Sequence, residues 1–469
     1  MKIHFFGAAR TVTGSRHLIE VDGLKILLDC GLFQGKRDQA NEINRTFQFD
    51  PATLDLVVLS HAHIDHSGNL PRLVRAGFRG DIICTEATRD LASIMLRDSA
   101  HIQEQDIEYL NRKRERNNQE PLEPLYTMED AEKTLGRLSG TPYGRTRTLA
   151  PGVSVTFHDA GHILGSAFVV LDVEKNGGGR PVRLVFSGDL GRKNRPIIRD
   201  PEICAEADAL IIESTYGDRL HERNESGEER LAAIINDARQ RGGKVIVPAF
   251  AVGRTQELVY SIHRLISAGK IPENLPVYVD SPLATEATGI YRRHPEDWDT
   301  ETDDFLKQYG SSDPFGFPCL RYTRTKEESM KLNTLKGPAV IISASGMAEN
   351  GRILHHLKNH AGDGRNTVLF VGFQAPHTLG RRLSEGGTTV KIFGVEHTVK
   401  ARVEKMDGLS AHADRDELLA WAAGFTRRPS RVFVVHGEEE SALALAEALT
   451  KNGFPSVEVP SLDDMRELS

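Results

Sequence analysis

Cysteine is scarce. The chain has 4 cysteines in 469 residues, at Cys30, Cys84, Cys204 and Cys319. They are scattered, with no C-x-x-C pair, which argues against a disulfide framework or a thiolate zinc site and fits a reducing compartment. Long hydrophobic runs are missing too. No window approaches about 18 consecutive apolar residues, and the opening stretch MKIHFFGAARTVTGS has no apolar run of signal-peptide length. A soluble, cytoplasmic protein with no membrane association is therefore expected. Nor is there an excess of positive charge: 59 Lys and Arg face 66 Asp and Glu, for a formal net charge of −7. A surface that binds nucleic acid everywhere is disfavoured, while a local basic groove stays open. No internal repeat, heptad array or low-complexity tract is visible. Nothing fixes the oligomeric state, and a homodimer stays open.

What remains is an ordinary globular composition, with 39% hydrophobic and 27% charged residues. The length is about three times a typical domain of roughly 150 residues, so one very large domain or two to three domains are expected. KIHFFG, HLIEV and LKILLDC read as short strands broken by Gly, and LDLVVLS reads as a buried strand. The region from about Thr85 to Gly136 reads as helical, and its RKRER segment as a solvated helix end rather than a nucleic-acid patch. Strands resume at VSVTFHDAG, AFVVLDVE and VRLVFSGD, with KNGGGRP as a turn. From about Leu210 the pattern changes. ALIIEST, GKVIVPAF, LPVYVDS, GPAVIISAS and NTVLFVGF are apolar runs that each precede a helical stretch, which indicates a parallel α/β domain. After about Val395 come a Ser/Ala-rich loop, a helix, the strand RVFVVHG and a final helix.

One stretch carries chemistry. SHAHIDHSG crowds His61, His63, Asp65 and His66 into six residues where a strand gives way to a loop. Such a cluster could be polar surface, but it supplies four metal ligands at once. Zinc accepts imidazole nitrogen and carboxylate oxygen, and a catalytic site keeps one position open. Two metals about 3.5–4 Å apart need more ligands than four and a shared group. Candidates stand at other strand exits: His162 in DAGHILGSA, Asp189 in VFSGDLGR and His412 in GLSAHADRDEL. Asp29 in LLDCGLFQG is placed to hold a ligand histidine by its other ring nitrogen.

These pieces resemble the metallo-β-lactamase fold, and the second half resembles its β-CASP branch of RNA-processing nucleases. The matching stretches include IIESTYGDRLH around Glu213, VPAFAVGRTQEL, SASGMAENGRILHHL around Ser345, FQAPHTLGRRL around His377 and SAHAD around His412. The resemblance covers nearly the whole chain in consistent order. It implies an α/β fold: a metallo-β-lactamase αβ/βα sandwich with an inserted parallel α/β β-CASP domain. The implied divisions are 1–208, 209–394 for the insert, and 395–469 for the return to the first domain.

The resemblance also implies a site. Two Zn2+ ions are expected, with manganese compatible with the same nitrogen and oxygen donors. His61, His63, His162 and Asp189 would hold one, and Asp65, His66, Asp189 and His412 the other, with Asp189 bridging and Asp29 supporting. Glu213 and His377 match the acidic residue and histidine of the β-CASP motifs, and His377 held by Glu213 is the expected general acid. Asp65 is counted with the catalytic residues. His436 in FVVHGEEE ends a late strand, resembles a recurrent VHGE stretch of the family and is expected beside the site. Ser345 and Gly346 could cradle a phosphate, and Arg381 and Arg382 could follow the RNA backbone. His158, His221, His294, His355, His356, His360 and His397 show no partner pattern and are expected to be surface or structural. The implied activity is hydrolysis of phosphodiester bonds in single-stranded RNA, by internal cutting or with 5′-to-3′ trimming. The alternatives are a hydrolase of a small ester or thioester on the same fold, and a DNA nuclease.

Overall fold

The computed structural model describes residues 1–35, 37–174, 180–221, 227–372, 374, 377–406 and 410–468. Most of the expected KNGGGRP turn lies outside them. The chain forms two compact units: residues 1–193, 200–220 and 412–469 make the first, and residues 194–199 and 221–411 the second.

In the first unit, alternation builds the core. In the strand Lys2–Gly7, Ile3 and Phe5 are buried while Lys2 is exposed. This strand joins a seven-stranded sheet ordered Met465–Glu467, Lys2–Gly7, Arg16–Val21, Leu24–Leu28, Leu56–Val58, Asp81–Cys84, Leu138–Gly140. A second seven-stranded sheet runs Val457–Glu458, Arg431–Val435, Ala209–Glu213, Val182–Phe186, Ala167–Val173, Val153–Asp159, Arg147–Ala150. Their facing side chains, among them Ile3, Phe5, Ile26, Val155, Val169, Phe186 and Phe433, form one buried cluster. The second sheet's other face packs Val170, Leu210 and Val434 against the helices Arg415–Ala422 and Glu439–Lys451 through Leu418, Trp421 and Leu445. Two sheets with helices outside is the αβ/βα sandwich.

The second unit holds a six-stranded sheet ordered Leu320–Tyr322, Val277–Val279, Ala339–Ser343, Lys244–Pro248, Thr367–Phe370, Arg402–Lys405, with every neighbouring pair parallel. Buried strands such as Lys244–Pro248 read as continuous apolar runs because parallel sheets are covered on both faces.

The boundaries differ from 208/209 and 394/395. Ala209–Glu213 pairs with Val182–Phe186 and Arg431–Val435 and so belongs to the first unit. Arg402–Lys405 pairs with Thr367–Phe370 and so belongs to the second. The region 85–136 is also not one helix. A 30-residue helix, Glu86–Glu115, is followed by an irregular stretch and a second helix, Met128–Leu135, started by a Thr127–Asp130 capping box. Arg112 pairs with Glu108 and Arg114 donates to the Glu120 carbonyl, which fits a solvated helix end. No helix among the described residues is long and apolar enough to cross a membrane.

Candidate metal centre

Strand exits of the first unit deliver the site. Asp29 follows Leu24–Leu28, and His61 and His63 follow Leu56–Val58, with Asp65 and His66 in the short helix Ile64–Ser67. From the other sheet, His162 follows Val153–Asp159, Asp189 follows Val182–Phe186, Glu213 ends Ala209–Glu213 and His436 follows Arg431–Val435. Glycine permits the closest approaches. A Cβ on Gly31 would lie 1.6 Å from the Asp65 carbonyl oxygen, and one on Gly191 would lie 1.6 Å from the Gly161 carbonyl oxygen. The Asp29 loop therefore presses on the histidine cluster, and the Asp189 loop on the His162 loop. Asp29 and His436 themselves adopt positive φ, +58° and +48°, an uncommon backbone that clusters at functional sites.

Three sets of ligand atoms converge, the third being Asp189, Glu213 and His412. His61, His63, His162 and Asp189 form the first. His61 Nε2 is 3.1 Å from His63 Nδ1, and His162 Nε2 is 3.2 Å from the same His63 atom. Asp189 Oδ2 is 3.5 Å from His61 Nε2 and 3.6 Å from His162 Nε2. Ligands 2.0–2.1 Å from a tetrahedral zinc stand about 3.3 Å from one another, so these spacings match a zinc shell. Asp65, His66 and His436 form the second set. His66 Nε2 is 3.0 Å from His436 Nε2, and His436 Nε2 is 3.6 Å from Asp65 Oδ2. Asp189 faces this set with its other oxygen: Oδ1 is 3.2 Å from His66 Nε2 and 3.5 Å from His436 Nδ1. That oxygen is buried and takes part in no hydrogen bond among the described residues. In the first set, whose imidazoles burial keeps neutral, nitrogens and carboxylate oxygens repel when crowded and a cation between them removes the conflict; in the second, burial lowers His66 but Asp189 and Asp29 outweigh it and raise it well above its ordinary value.

The electrostatics agree. Burial, only partly opposed by Asp189 and Asp65, pushes His61 well down and His63 to about 4. Burial pushes His162 well down as well, so all three are neutral imidazoles ready to ligate. Burial works against the charge on Asp189, but His436, His66 and His61 outweigh it and hold the carboxyl well below its ordinary range. His66 is fixed from behind. Its Nδ1 is 2.6 Å from Asp29 Oδ2, and Asp29 also accepts from the Ser60 N–H at 2.8 Å and the Ser15 hydroxyl at 3.1 Å. This selects the tautomer with the proton on Nδ1 and aims Nε2 into the site.

His412 stands beside Glu213. It joins Gly191 in an antiparallel bridge, and the Ala413 N–H donates to the Leu190 carbonyl at 2.8 Å. Its Nδ1 lies 3.2 Å from Glu213 Oε1 and 3.9 Å from Asp189 Oδ2. The buried Glu213 also accepts from the Leu190 N–H at 2.7 Å and the Thr215 N–H at 3.2 Å. Burial lowers the His412 pKa, but Glu213 and Asp189 more than offset it and raise it to about 9. The expected division put His412 in the second zinc's shell and paired Glu213 with His377. In the structure His436 takes the place next to Asp65 and His66, and His412 is the imidazole on Glu213. His377 belongs to the second unit and is exposed. The sequence cue for His436 was the one used for the other ligands, a histidine just past an apolar strand. Ser345 and Gly346 lie beyond the strand Ala339–Ser343. Arg381 and Arg382 lie on the helix Leu379–Ser384, where Arg381 Nε donates to Glu385 at 2.6 Å and Arg382 is exposed.

Known proteins resemble this chain over nearly its whole length. The chain is 40% identical over 458 residues to a Thermus thermophilus protein named Ribonuclease TTHA0252, covering 97% of each chain. Family models match in order: the metallo-beta-lactamase superfamily at residues 12–164, the Beta-Casp domain at 255–383 and the Zn-dependent metallo-hydrolase RNA specificity domain at 396–460. The chain belongs to the β-CASP family of the metallo-β-lactamase superfamily. A second β-CASP relative is a Methanocaldococcus jannaschii protein named Transcription termination factor FttA, 31% identical over 477 residues, 99% of this chain and 72% of the relative. A protein of the same name from Thermococcus kodakarensis is 32% identical over 487 residues, 99% of this chain and 71% of the relative. The β-CASP chain also superposes on the crystal structure of a protein of unknown function from Enterococcus faecalis V583. The TM-score is 0.55 at 14% identity, covering 100% of this chain and 99% of the other, a likeness of fold alone.

Proposed function

We propose that this metal-dependent ribonuclease uses two zinc ions to hydrolyse phosphodiester bonds within single-stranded RNA. The observation that carries the reading is Asp189, whose two carboxylate oxygens each face a separate cluster of imidazole nitrogens. His61, His63, His162 and Asp189 would hold one ion, and Asp65, His66, His436 and Asp189 the other. Bound there, a zinc pair supplies a hydrolytic water of lowered pKa and positive charge opposite the phosphate oxygens.

The chain's own groups do the rest. Glu213 Oε1 orients the His412 ring through Nδ1 and keeps it protonated, leaving Nε2–H to donate. As the water oxygen bonds to phosphorus and releases a proton to solvent, from which His412 is later reprotonated, the bond from phosphorus to the 3′-oxygen breaks. His412 Nε2 passes its proton to that oxygen, giving a 3′-hydroxyl and a 5′-phosphate. This division reassigns His412 from ligand to general acid, and the distances to Glu213 and Asp189 support it. His377 is then released from the acid role and remains an exposed residue of the second unit. The test is cleavage of 5′-end-labelled single-stranded RNA with and without chelator, beside a count of zinc per chain. Internal fragments that appear only with metal, and two zinc ions per chain, are the expected result. A chain that carries two zinc ions and leaves RNA intact overturns the reading.

A further inference from the structure

The parallel sheet of the second unit reverses its winding between two adjacent strands. The chain leaving Lys244–Pro248 crosses to Val277–Val279 on one side, and the chain leaving Ala339–Ser343 crosses to Thr367–Phe370 on the other. Right-handed crossovers in opposite directions send the two exit loops to opposite faces of the sheet. A crevice at the carboxyl ends of such a strand pair is the usual ligand position in open α/β sheets. Phe250 leaves the first of these strands, and Ser345 and Gly346 leave the second.

The two loops meet face to face. A Cβ added to Gly346 would stand 3.0 and 3.1 Å from two Phe250 ring carbons and 3.1 Å from the Phe250 nitrogen. The ring therefore rests on bare backbone. Both loops are braced. The Thr255 N–H and hydroxyl donate to the Phe250 carbonyl at 3.2 and 2.7 Å. Gln374 Nε2 donates to the Gly346 carbonyl at 3.1 Å, and the Glu349 N–H to Ser345 Oγ at 3.1 Å. Despite this support Phe250 is 47% exposed, although its neighbours Ala249 and Ala251 are buried. A rigidly mounted aromatic side chain left half open to solvent does little for the core. It is what a single-stranded nucleotide needs, because every base offers a π-face and stacking tolerates any sequence.

We propose that Phe250, seated on Gly346, is a stacking platform for one base of the RNA strand and governs how tightly the strand is held. This rests on the ribonuclease reading above. The test compares Phe250→Ala, Phe250→Leu and Phe250→Tyr in the zinc-loaded protein on single-stranded RNA. Stacking is worth about 5- to 150-fold per base, so Ala and Leu should each raise KM by that factor with kcat within about twofold, and Tyr should restore it. An unchanged KM in the Ala variant, or full rescue by Leu, overturns the platform. A second readout does not need cleavage. Phe250→Trp fluorescence should be quenched by a phosphorothioate-linked single-stranded 12-mer, and less by one made abasic throughout. Absence of quenching overturns the proposal even if the wild type cuts RNA. Quenching in a protein that cuts no RNA would keep the platform and sink the ribonuclease reading instead.

Discussion

Asp189 and Asp280 are both buried aspartates just past the end of a strand, and their surroundings are opposite. Asp280, in the second unit, is saturated with donors: the Thr323 hydroxyl, Ser329 Oγ at 2.6 Å, His356 Nε2 at 2.6 Å and Arg352 Nη1 at 2.7 Å. Burial opposes its charge, but these partners outweigh it and hold the carboxyl below its ordinary range. Asp189, in the first unit, is ringed by imidazole nitrogens, of which burial keeps His61 and His162 neutral, and one of its oxygens lacks any hydrogen bond among the described residues. A carboxylate with all its donors in place is a structural knot. One crowded by other electron-pair donors awaits a cation.

Three substitutions would sharpen or break that contrast. The largest effect is expected at Asp189. Asp189→Asn should fold, lose zinc, and cut RNA at least about a thousandfold more slowly; elemental analysis beside a thermal melt checks it, and two zinc ions retained at wild-type rate would dissolve the contrast. His412→Ala comes next. It should keep both zinc ions and slow cleavage by on the order of 10²–10⁴, the usual contribution of a positioned acid. Against burial, Glu213 raises the His412 pKa, so the acid form is present at neutral pH and lost as pH rises past the raised value. The wild-type rate should fall over that range, and the variant should lack the fall. Loss of zinc in the variant would return His412 to the ligands. Asp280→Ala should matter least to catalysis. It leaves Arg352 and His356 without their buried anion, at a cost of about 3–5 kcal/mol of stability by denaturant unfolding. Zinc content and rate per folded molecule should hold.

The same contrast shows what could be read in advance. The crowding of His61, His63, Asp65 and His66 and the strand-end positions of His162 and Asp189 follow from local pattern, because an apolar run that stops at a histidine or aspartate marks a strand exit. Strand–helix alternation likewise revealed the parallel sheet. Choosing between His412 and His436 was beyond local pattern. Both follow loops or strands of similar composition, and what separates them is a bridge from His412 to Gly191 and a strand pairing from Ala209–Glu213 to Arg431–Val435. Those are long-range pairings. The unit boundary failed for the same reason: ALIIE looks like the first strand of an α/β series, yet its partners lie in the other sheet. His356 was expected to be structural for want of a motif, and its partner Asp280 stands 76 positions earlier.

Asp29 and His436 mark the first and last side chains of the candidate metal centre, and nearly the whole chain runs between them. A ribosome making this protein extrudes the His61 cluster early, but the chain still lacks His436 until most of the polypeptide is out. During that interval the growing chain holds the histidine cluster without the partner that completes it. The candidate metal centre therefore closes only after the strand Arg431–Val435 has been made.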